Sequence, residues 1–297
     1  MPCLQSVVPA PAHALRFAAT HSDRMERMSL YTIAGLLLGI GLFIGSILLA
    51  TDNFWLFFNL PSLLLVGGGT IANAFISYQG RYVVAALKDA ALVLAHAKIN
   101  EKLVVQQSRK VIEWARLVSR EGLVALEQHL EGSAEGKDPF LRQGIELVAD
   151  ANPPEAVREV LTNMIDSAYN RRVREVTILK GMAACSPAFG MIGTLVGLIV
   201  MLDSLSSNPD GLGAGLAIAL LTTLYGVLLA RLVFQPAADK TLQREQIARY
   251  RNYLMMEGFV MLAEERPARY IETRINSMID PNLLATMAPP KATNADA

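Results

Sequence analysis

Charge and cysteine are both scarce in this chain. Charged residues make up 18% of its 297 residues, below the roughly 25% of an average soluble domain. The two cysteines, Cys3 and Cys185, form no CxxC pair, so the sequence offers neither a disulfide framework nor a zinc site. Because the formal net charge is zero, no overall electrostatic attraction to nucleic acid is expected either.

Residue combinations typical of enzymes and metal sites are also missing. The four histidines are isolated from one another, at positions 13, 21, 96 and 129. No nucleophile can be matched with a base and an orienting group, and the stretch Gly190–Gly197 lacks the lysine of a phosphate-binding loop. We therefore predict a protein that is not an enzyme, with no catalytic residues, no metal and no cofactor.

Apolar residues are concentrated in four stretches, each long enough to cross a membrane as a helix. They are Leu30–Ala50, Leu56–Tyr78, Gly181–Leu202 and Leu212–Phe234, and a transmembrane helix needs about 20 such residues. Four buried helices of a large soluble protein are the alternative, but such helices are seldom apolar on every side. The pattern predicts an all-α protein with four transmembrane helices in contact with membrane lipid.

The basic residues predict how these helices are oriented. All 27 Lys and Arg lie within residues 16–27, 81–180 and 231–291, and none lies in the short loops 51–55 and 203–211. By the positive-inside rule, the short loops lie outside, whereas both termini and the 81–180 loop are cytoplasmic.

These patterns divide the chain into six segments. They are an N-terminal extension (1–27), the first two transmembrane helices (28–80), a cytoplasmic helical domain (81–180), the last two transmembrane helices (181–236), cytoplasmic C-terminal helices (237–281) and a disordered tail (282–297). The two cytoplasmic segments repeat apolar residues at the spacing of amphipathic helices. The extension is either disordered or upstream of a true start at Met28 or Met25.

No Asp, Glu, Lys, Arg or His lies within a predicted transmembrane helix away from its ends. Proteins that conduct ions usually hold an ionisable group there, because a charge inside the membrane is costly and is kept only for function. If this chain conducts ions, a partner must supply the carboxylate.

Three glycine pairs with GxxxG spacing predict close helix packing, within one subunit or between copies. They are Gly35/Gly39, Gly41/Gly45 and Gly193/Gly197.

Hydroxyl groups and prolines are the candidate functional features of the last two transmembrane helices. Thr194 lies midway in the third helix, and Thr222 and Thr223 lie midway in the fourth. Each hydroxyl either bonds a backbone carbonyl one turn back or faces a hydrated path and helps to coordinate an ion. Pro187 is expected to break the third helix and Pro236 to end the fourth, each as a static kink or as a hinge to the cytoplasmic helices.

Two long motifs resemble a known family. The third-helix sequence SPAFGMIGTLVGLIVML (Ser186–Leu202) and the fourth-helix sequence AIALLTTLYGVLLARLVFQPAADK (Ala217–Lys240) closely resemble the MotA/PomA family of flagellar motor stator subunits. The resemblance extends from Met28 to about Pro281. It implies a multi-pass protein of the bacterial inner membrane that converts an ion gradient into torque on the flagellar rotor.

The resemblance also implies partners and an assembly. Five copies would surround two copies of a MotB/PomB-like single-span subunit, whose essential Asp would supply the missing carboxylate. Flow of Na⁺, or alternatively of H⁺, would rotate the homopentamer, and its cytoplasmic domain would push the rotor protein FliG.

Site residues of the family can be carried over by position. Thr194, Thr222 and Thr223 match positions that line the ion path, and Pro187 and Pro236 match prolines linked to conduction and conformational coupling. A Thr at position 194 is usual in sodium-type members, whereas some proton-type members have Ala. The chain is therefore closest in motif to the sodium-driven PomA type.

The rotor contact implied by the resemblance lies in the cytoplasmic domain. Glu127 matches the acidic residue of the rotor-facing surface. Arg120 lies in the stretch of the basic partner, although alignment on Gly122 and Glu127 puts Ser119 at that position. An exposed Arg or Glu on a cytoplasmic helix is otherwise an ordinary solvated residue.

Two alternatives stay open from the sequence. One is a non-flagellar MotA/ExbB/TolQ-like transducer that passes ion-motive force to the cell envelope, although ExbB/TolQ proteins have three spans in another order. The other is a helical membrane scaffold that conducts nothing, in which Thr194 and Thr223 serve only packing.

Overall fold

The computed structural model of the chain describes residues 28–96, 101–122, 125–126, 138–207 and 212–281. Every regular element within these ranges is helical, which confirms the predicted all-α class. The predicted extension 1–27, the predicted tail 282–297 and Glu127 lie outside the described residues. In chain order the helices are α1 (Met28–Ala50), α2 (Leu60–Leu63, then a π-helical turn Leu64–Gly68, then Gly69–Ser77), α3 (Gly80–His96), α4 (Glu101–Glu121), α5 (Pro139–Ala149), α6 (Pro154–Ser207), α7 (Leu212–Leu228, then a π-helical turn Leu229–Phe234), α8 (Gln235–Ala263) and α9 (Ala268–Met278).

Three helical stretches are long and apolar enough to cross a membrane. They are Trp55–Ser77, Pro154–Asp203 and Gly215–Ala263, and they correspond to the second, third and fourth predicted spans. In α1 the apolar part is the shorter segment Leu37–Ala50, so the first span stays a prediction. The chain is an all-helical membrane protein, and its apolar helices expose large side chains such as Leu220 that suit a lipid environment.

The described residues form two compact units. Unit 1 contains the described residues of Met1–Leu30, Ile99–Ser167 and Ile247–Ala297, and unit 2 contains those of Tyr31–Lys98 and Ala168–Gln246. Described residues of the predicted segment 81–180 occur in both units, and its cytoplasmic location stays a prediction. The third and fourth apolar stretches continue without a break into charged turns of α6 and α8. These charged turns, within Ala168–Gln246, pack in unit 2.

An aromatic pair lies at the centre of unit 1. Trp114 of α4 stacks on Phe259 of α8, with ring centroids 6.0 Å apart. Gly144 of α5 makes room for this ring, since a Cβ added there would lie 2.4 Å from Phe259. Asp138 caps α5 by accepting a hydrogen bond from Phe140 N at 3.0 Å, and Arg251 Nη2 lies 2.8 Å from the same carboxylate.

Within unit 2, α6 and α7 pack backbone against backbone. A Cβ added at Gly197 would lie 2.6 Å from the backbone nitrogen of Ala219, and one added at Gly226 would lie 2.7 Å from the carbonyl oxygen of Ser186. Small residues permit this approach. The Gly193/Gly197 pair therefore packs within one chain.

Neither proline interrupts its long helix, so Pro236 does not end the fourth helix as predicted, whereas a kink at Pro187 stays a prediction. Pro187 lies inside α6, which continues as one helix of 54 residues. Pro236 is the second residue of α8 and follows directly on the π-helical turn Leu229–Phe234. A proline loses only one helical hydrogen bond but crowds the carbonyl four residues earlier. The wider π-helical turn before Pro236 changes the hydrogen-bond spacing at that point, so the helix continues.

We expect Gly215→Ala to lower the thermal stability of the full-length chain in detergent. The added carbon would lie 2.8 Å from Met201 Cβ and 2.9 Å from Gly197 O, and overpacking of this kind costs about 1–3 kcal/mol. Gly213→Ala is the matched control in the same helix, because nothing lies within 4 Å of a Cβ at Gly213. Equal unfolding temperatures for the two variants would contradict the close α6–α7 packing.

Candidate functional site

Two threonine hydroxyls meet across the α6–α7 contact. Thr194 Oγ1 lies 2.7 Å from Thr223 Oγ1, a hydrogen-bond distance. The glycines of α6 make this possible, since a Cβ at Gly190 would lie only 3.0 Å from the carbonyl oxygen of Thr222. Two of the three predicted ion-path residues are thus brought together by helix packing.

The hydroxyl pair lies beside backbone carbonyls. Thr194 Oγ1 is 3.1 Å from Gly190 O and 3.3 Å from Ala219 O, and Thr223 Oγ1 is 3.5 Å from Gly190 O. Each hydroxyl donates one hydrogen and accepts up to two. Because Thr223 is exposed and Thr194 is half-buried, oxygen lone pairs remain available on the surface. Oxygen atoms of this kind suit a hard cation or a water molecule.

Thr222 differs from its predicted position on the ion path. Its side chain is fully buried, and its Oγ1 lies 3.0 Å from Ile218 O and 2.9 Å from Ala219 O. A Cβ at Gly193 would lie 2.5 Å from the Thr222 methyl carbon. The hydroxyl is therefore satisfied within its own helix, which is the packing alternative that the sequence left open.

A second hydroxyl pair connects α2 to α6. Thr70 Oγ1 lies 2.7 Å from Val66 O and 3.3 Å from Ser186 Oγ, and Ser186 Oγ donates to Met182 O at 2.8 Å. Both side chains are fully buried. Sequence reasoning missed this pair, although a Ser or Thr within an apolar stretch is the signal that could have indicated it.

The predicted coupling prolines occupy different places. Pro187 follows Ser186 at the α6–α7 contact, where a Cβ at Gly226 would lie 3.2 Å from the Pro187 Cα. Pro236 lies in α8, beyond the π-helical turn of the fourth apolar helix. Their roles in conduction and coupling stay predictions.

Tyr225 joins α7 to the start of α2, which the sequence did not indicate. Its hydroxyl donates to Phe57 O at 2.6 Å and accepts from Asn59 N at 3.0 Å. The Asn59 side chain in turn accepts from Ser62 N at 3.0 Å, which caps α2. A half-buried phenol in an apolar environment needs such partners.

Of the two predicted rotor-contact residues, the structure describes only Arg120. Arg120 is exposed in the last turn of α4. The next residue but one, Gly122, has φ of +85°, a left-handed conformation that glycine adopts without steric cost and that ends the helix. Glu127 lies outside the described residues, so the rotor contact stays a prediction.

A charged cluster joins α3, α6 and α8 beside the apolar helices of unit 2. Asp89 Oδ2 lies 3.1 Å from Arg244 Nη2 and 3.9 Å from Arg172 Nη1, and Arg172 lies 3.5 Å from Glu175. Glu175 is only 7% exposed. Burial raises the pKa of Glu175, and its hydrogen bond to Asp89 and the Asp89 charge raise this pKa further, whereas Arg172 lowers it. The cluster therefore favours a proton on Glu175.

The raised pKa of Glu175 predicts that stability falls as pH rises. The folded chain holds the proton more tightly than the unfolded chain, whose Glu pKa is about 4.3, so the free energy of unfolding decreases up to the folded-state pKa. Glu175→Gln is expected to flatten this dependence in thermal unfolding measured at rising pH above the unfolded-state pKa. Glu146→Gln is the control, because Glu146 pairs with Arg142 at the exposed surface. Identical pH profiles for the wild type and Glu175→Gln would contradict the buried proton.

Comparison with known proteins places the chain in a family. Residues 133–252 match the MotA/TolQ/ExbB proton channel family. The Bacillus subtilis protein described as uncharacterized protein YtxD is 34% identical over 84% of this chain and 90% of its own length. The Vibrio alginolyticus chemotaxis protein PomA is 31% identical over 85% of this chain and 96% of its own length.

A solved structure has the same fold. The structure of C. jejuni MotAB matches with a TM-score of 0.76 and 23% identity, over 86% of this chain and 98% of that one. The resemblance inferred from the two span motifs is thereby confirmed, whereas the closeness to sodium-type members stays a prediction. The chain belongs to the MotA/PomA family within the MotA/TolQ/ExbB proton channel proteins.

Proposed function

We propose that this chain is a flagellar motor stator subunit that conducts ions together with a MotB/PomB-like partner and turns their flow into torque. The observation that carries the proposal is the Thr194–Thr223 hydroxyl pair, 2.7 Å apart on two apolar helices. The pair offers oxygen ligands at the surface of a helix pair that has no acidic or basic side chain at this depth.

The partner would supply the negative charge that the hydroxyl pair lacks. Hydroxyl and carbonyl oxygens can replace part of the hydration of an ion, but they carry no full negative charge. A carboxylate on a partner helix, opposite Thr223, would complete the path and bind the ion reversibly. The likeness to a structure of MotAB supports a partner of the MotB type.

Movement would pass from the ion path along α6. This helix carries Thr194, Pro187 and the charged residues Arg172 and Glu175 without a break. A shift of α6 relative to α7 would therefore act on the ion pairs that hold α3 and α8 beside it. Torque would then reach the rotor protein FliG through the cytoplasmic surface that bears Arg120 and Glu127.

We propose Na⁺ as the transported ion and H⁺ as the alternative. The hydroxyls of Thr194 and Thr223 together with the Gly190 and Ala219 carbonyls form the kind of oxygen-only surroundings that hard cations prefer. The same oxygens could hold a water molecule that passes protons, so the ion has to be measured.

Glycines outside the α6–α7 contact support an assembly of five copies around two partner helices. Gly41 and Gly45 of α1 have nothing within 4 Å of an added Cβ, and the same holds for Gly67 and Gly68 of α2. These surfaces are open to close contact with another helix. The distribution of basic residues supports cytoplasmic termini, and the family supports a multi-pass location in the inner membrane.

Swimming speed against sodium concentration at fixed pH tests the function and the ion together. Stator-null cells would express this chain with a MotB/PomB-like single-span partner. We expect speed to rise with sodium. A swimming speed that does not depend on sodium concentration would support the stator function and identify H⁺ as the transported ion. Absence of swimming, with the complex present in the membrane and a matching rotor, would favour the non-flagellar transducer of the same family.

Two adjacent threonines allow a sharper test of the ion path. Thr223→Val should lower ion-driven rotation of tethered cells by about tenfold, since one lost hydrogen bond of about 1.4 kcal/mol corresponds to that factor. Thr222→Val should leave rotation near the wild-type speed, because its hydroxyl bonds carbonyls of its own helix. The reverse order of the two effects would refute the assignment of Thr223.

A further inference from the structure

Two arginines converge on one tyrosine beside the apolar helices of unit 2. Arg81 and Tyr82 lie in the first turn of α3, and Arg174 lies in α6. Arg81 Nη2 and Arg174 Nη1 both donate to Tyr82 Oη, at 3.1 and 3.2 Å. Their guanidinium carbons lie 4.6 and 5.6 Å from the centre of the Tyr82 ring. The three side chains thus form one surface feature, which we call the arginine–tyrosine cluster.

The arginine–tyrosine cluster carries two positive charges that no carboxylate of the described residues neutralises. The acidic residues closest to it in the chain, Asp89 and Glu175, lie instead against Arg244 and Arg172. Both arginines of the cluster are exposed. Two guanidinium groups held on one phenol without a counter-charge form an arrangement that an external anion would stabilise.

The cluster lies close to the cytoplasmic end of the third predicted span. Tyr78 Oη lies against Gly181, the first residue of the third predicted span, since a Cβ there would lie 3.2 Å from it. Arg174 precedes Gly181 by about seven residues, or about 10 Å of helix. The headgroup region extends roughly 5–8 Å beyond the hydrocarbon core on each side. Arginine side chains are long enough to span the remaining distance to that layer, and tyrosine is enriched there.

We infer that Arg81, Tyr82 and Arg174 form a binding site for the phosphate of an anionic membrane phospholipid. The planar guanidinium matches phosphate oxygens with two parallel hydrogen bonds. The Tyr82 ring holds both guanidinium groups, and its hydroxyl hydrogen is left as a further donor. Soluble phosphate shares this chemistry, but the cluster adjoins two membrane helices, where headgroup phosphate is concentrated.

Lipid binding to the purified complex tests this site. The full-length chain with its single-span partner would be titrated in nonionic detergent with phosphatidylglycerol, and with phosphatidylcholine for comparison, while native mass spectrometry counts bound lipids. We expect preferential binding of phosphatidylglycerol. The double variant Arg81→Gln/Arg174→Gln should weaken that binding by roughly fivefold for each arginine. Arg174→Lys, which keeps the charge but loses the planar fork, should weaken it to a smaller extent.

A matched control separates this site from general electrostatic attraction. Arg171 is another exposed arginine of α6, and Arg171→Gln should leave phosphatidylglycerol binding unchanged. An equal loss in Arg171→Gln, or no loss in the double variant, would overturn the site. Displacement of phosphatidylglycerol by inorganic phosphate at the same concentration would show that the site binds soluble phosphate, and it would refute the proposed lipid site. Unchanged unfolding temperatures verify folding, and Arg174→Lys still decides the question if the double variant unfolds.

Discussion

The backbone contact between α6 and α7 is the constraint on which the rest of unit 2 depends. In a bilayer, apolar side chains gain nothing by leaving lipid, so helix association depends on close packing and interhelical hydrogen bonds. Gly197 lies against Ala219, and Gly226 lies against Ser186, at distances that leave no room for a Cβ. Only at this separation can the short side chains of Thr194 and Thr223 reach each other.

Hydroxyl groups then satisfy one another or nearby carbonyls, because a membrane interior offers no other partner. Thr70 and Ser186 link α2 to α6, and Tyr225 links α7 to the start of α2. The Thr194–Thr223 pair differs from them, since Thr223 is exposed. In the proposed function, these oxygen atoms carry no full charge, so the charged step falls to a carboxylate of the partner.

Charges beside the apolar helices are used in two ways. Asp89 pairs with Arg172 and Arg244 and so holds α3, α6 and α8 together, and burial raises the pKa of the neighbouring Glu175 carboxyl group. The arginine–tyrosine cluster is on the same helices but has no acidic partner among the described residues. The first group stabilises the helix junction, and the second is suited to the surrounding headgroups.

The helical class, the spans in α2, α6 and α7 and the family were determined by the sequence, because hydropathy, basic-residue placement and motifs are local properties of the chain. The different burial of Thr222 and Thr223 was decided by the tertiary structure alone. Adjacent residues on a helix point about 100° apart, so the position of α6 sets which hydroxyl is buried. The continuation of α8 through Pro236 and the pairing of Thr70 with Ser186 likewise depend on neighbouring turns and helices that no local pattern encodes.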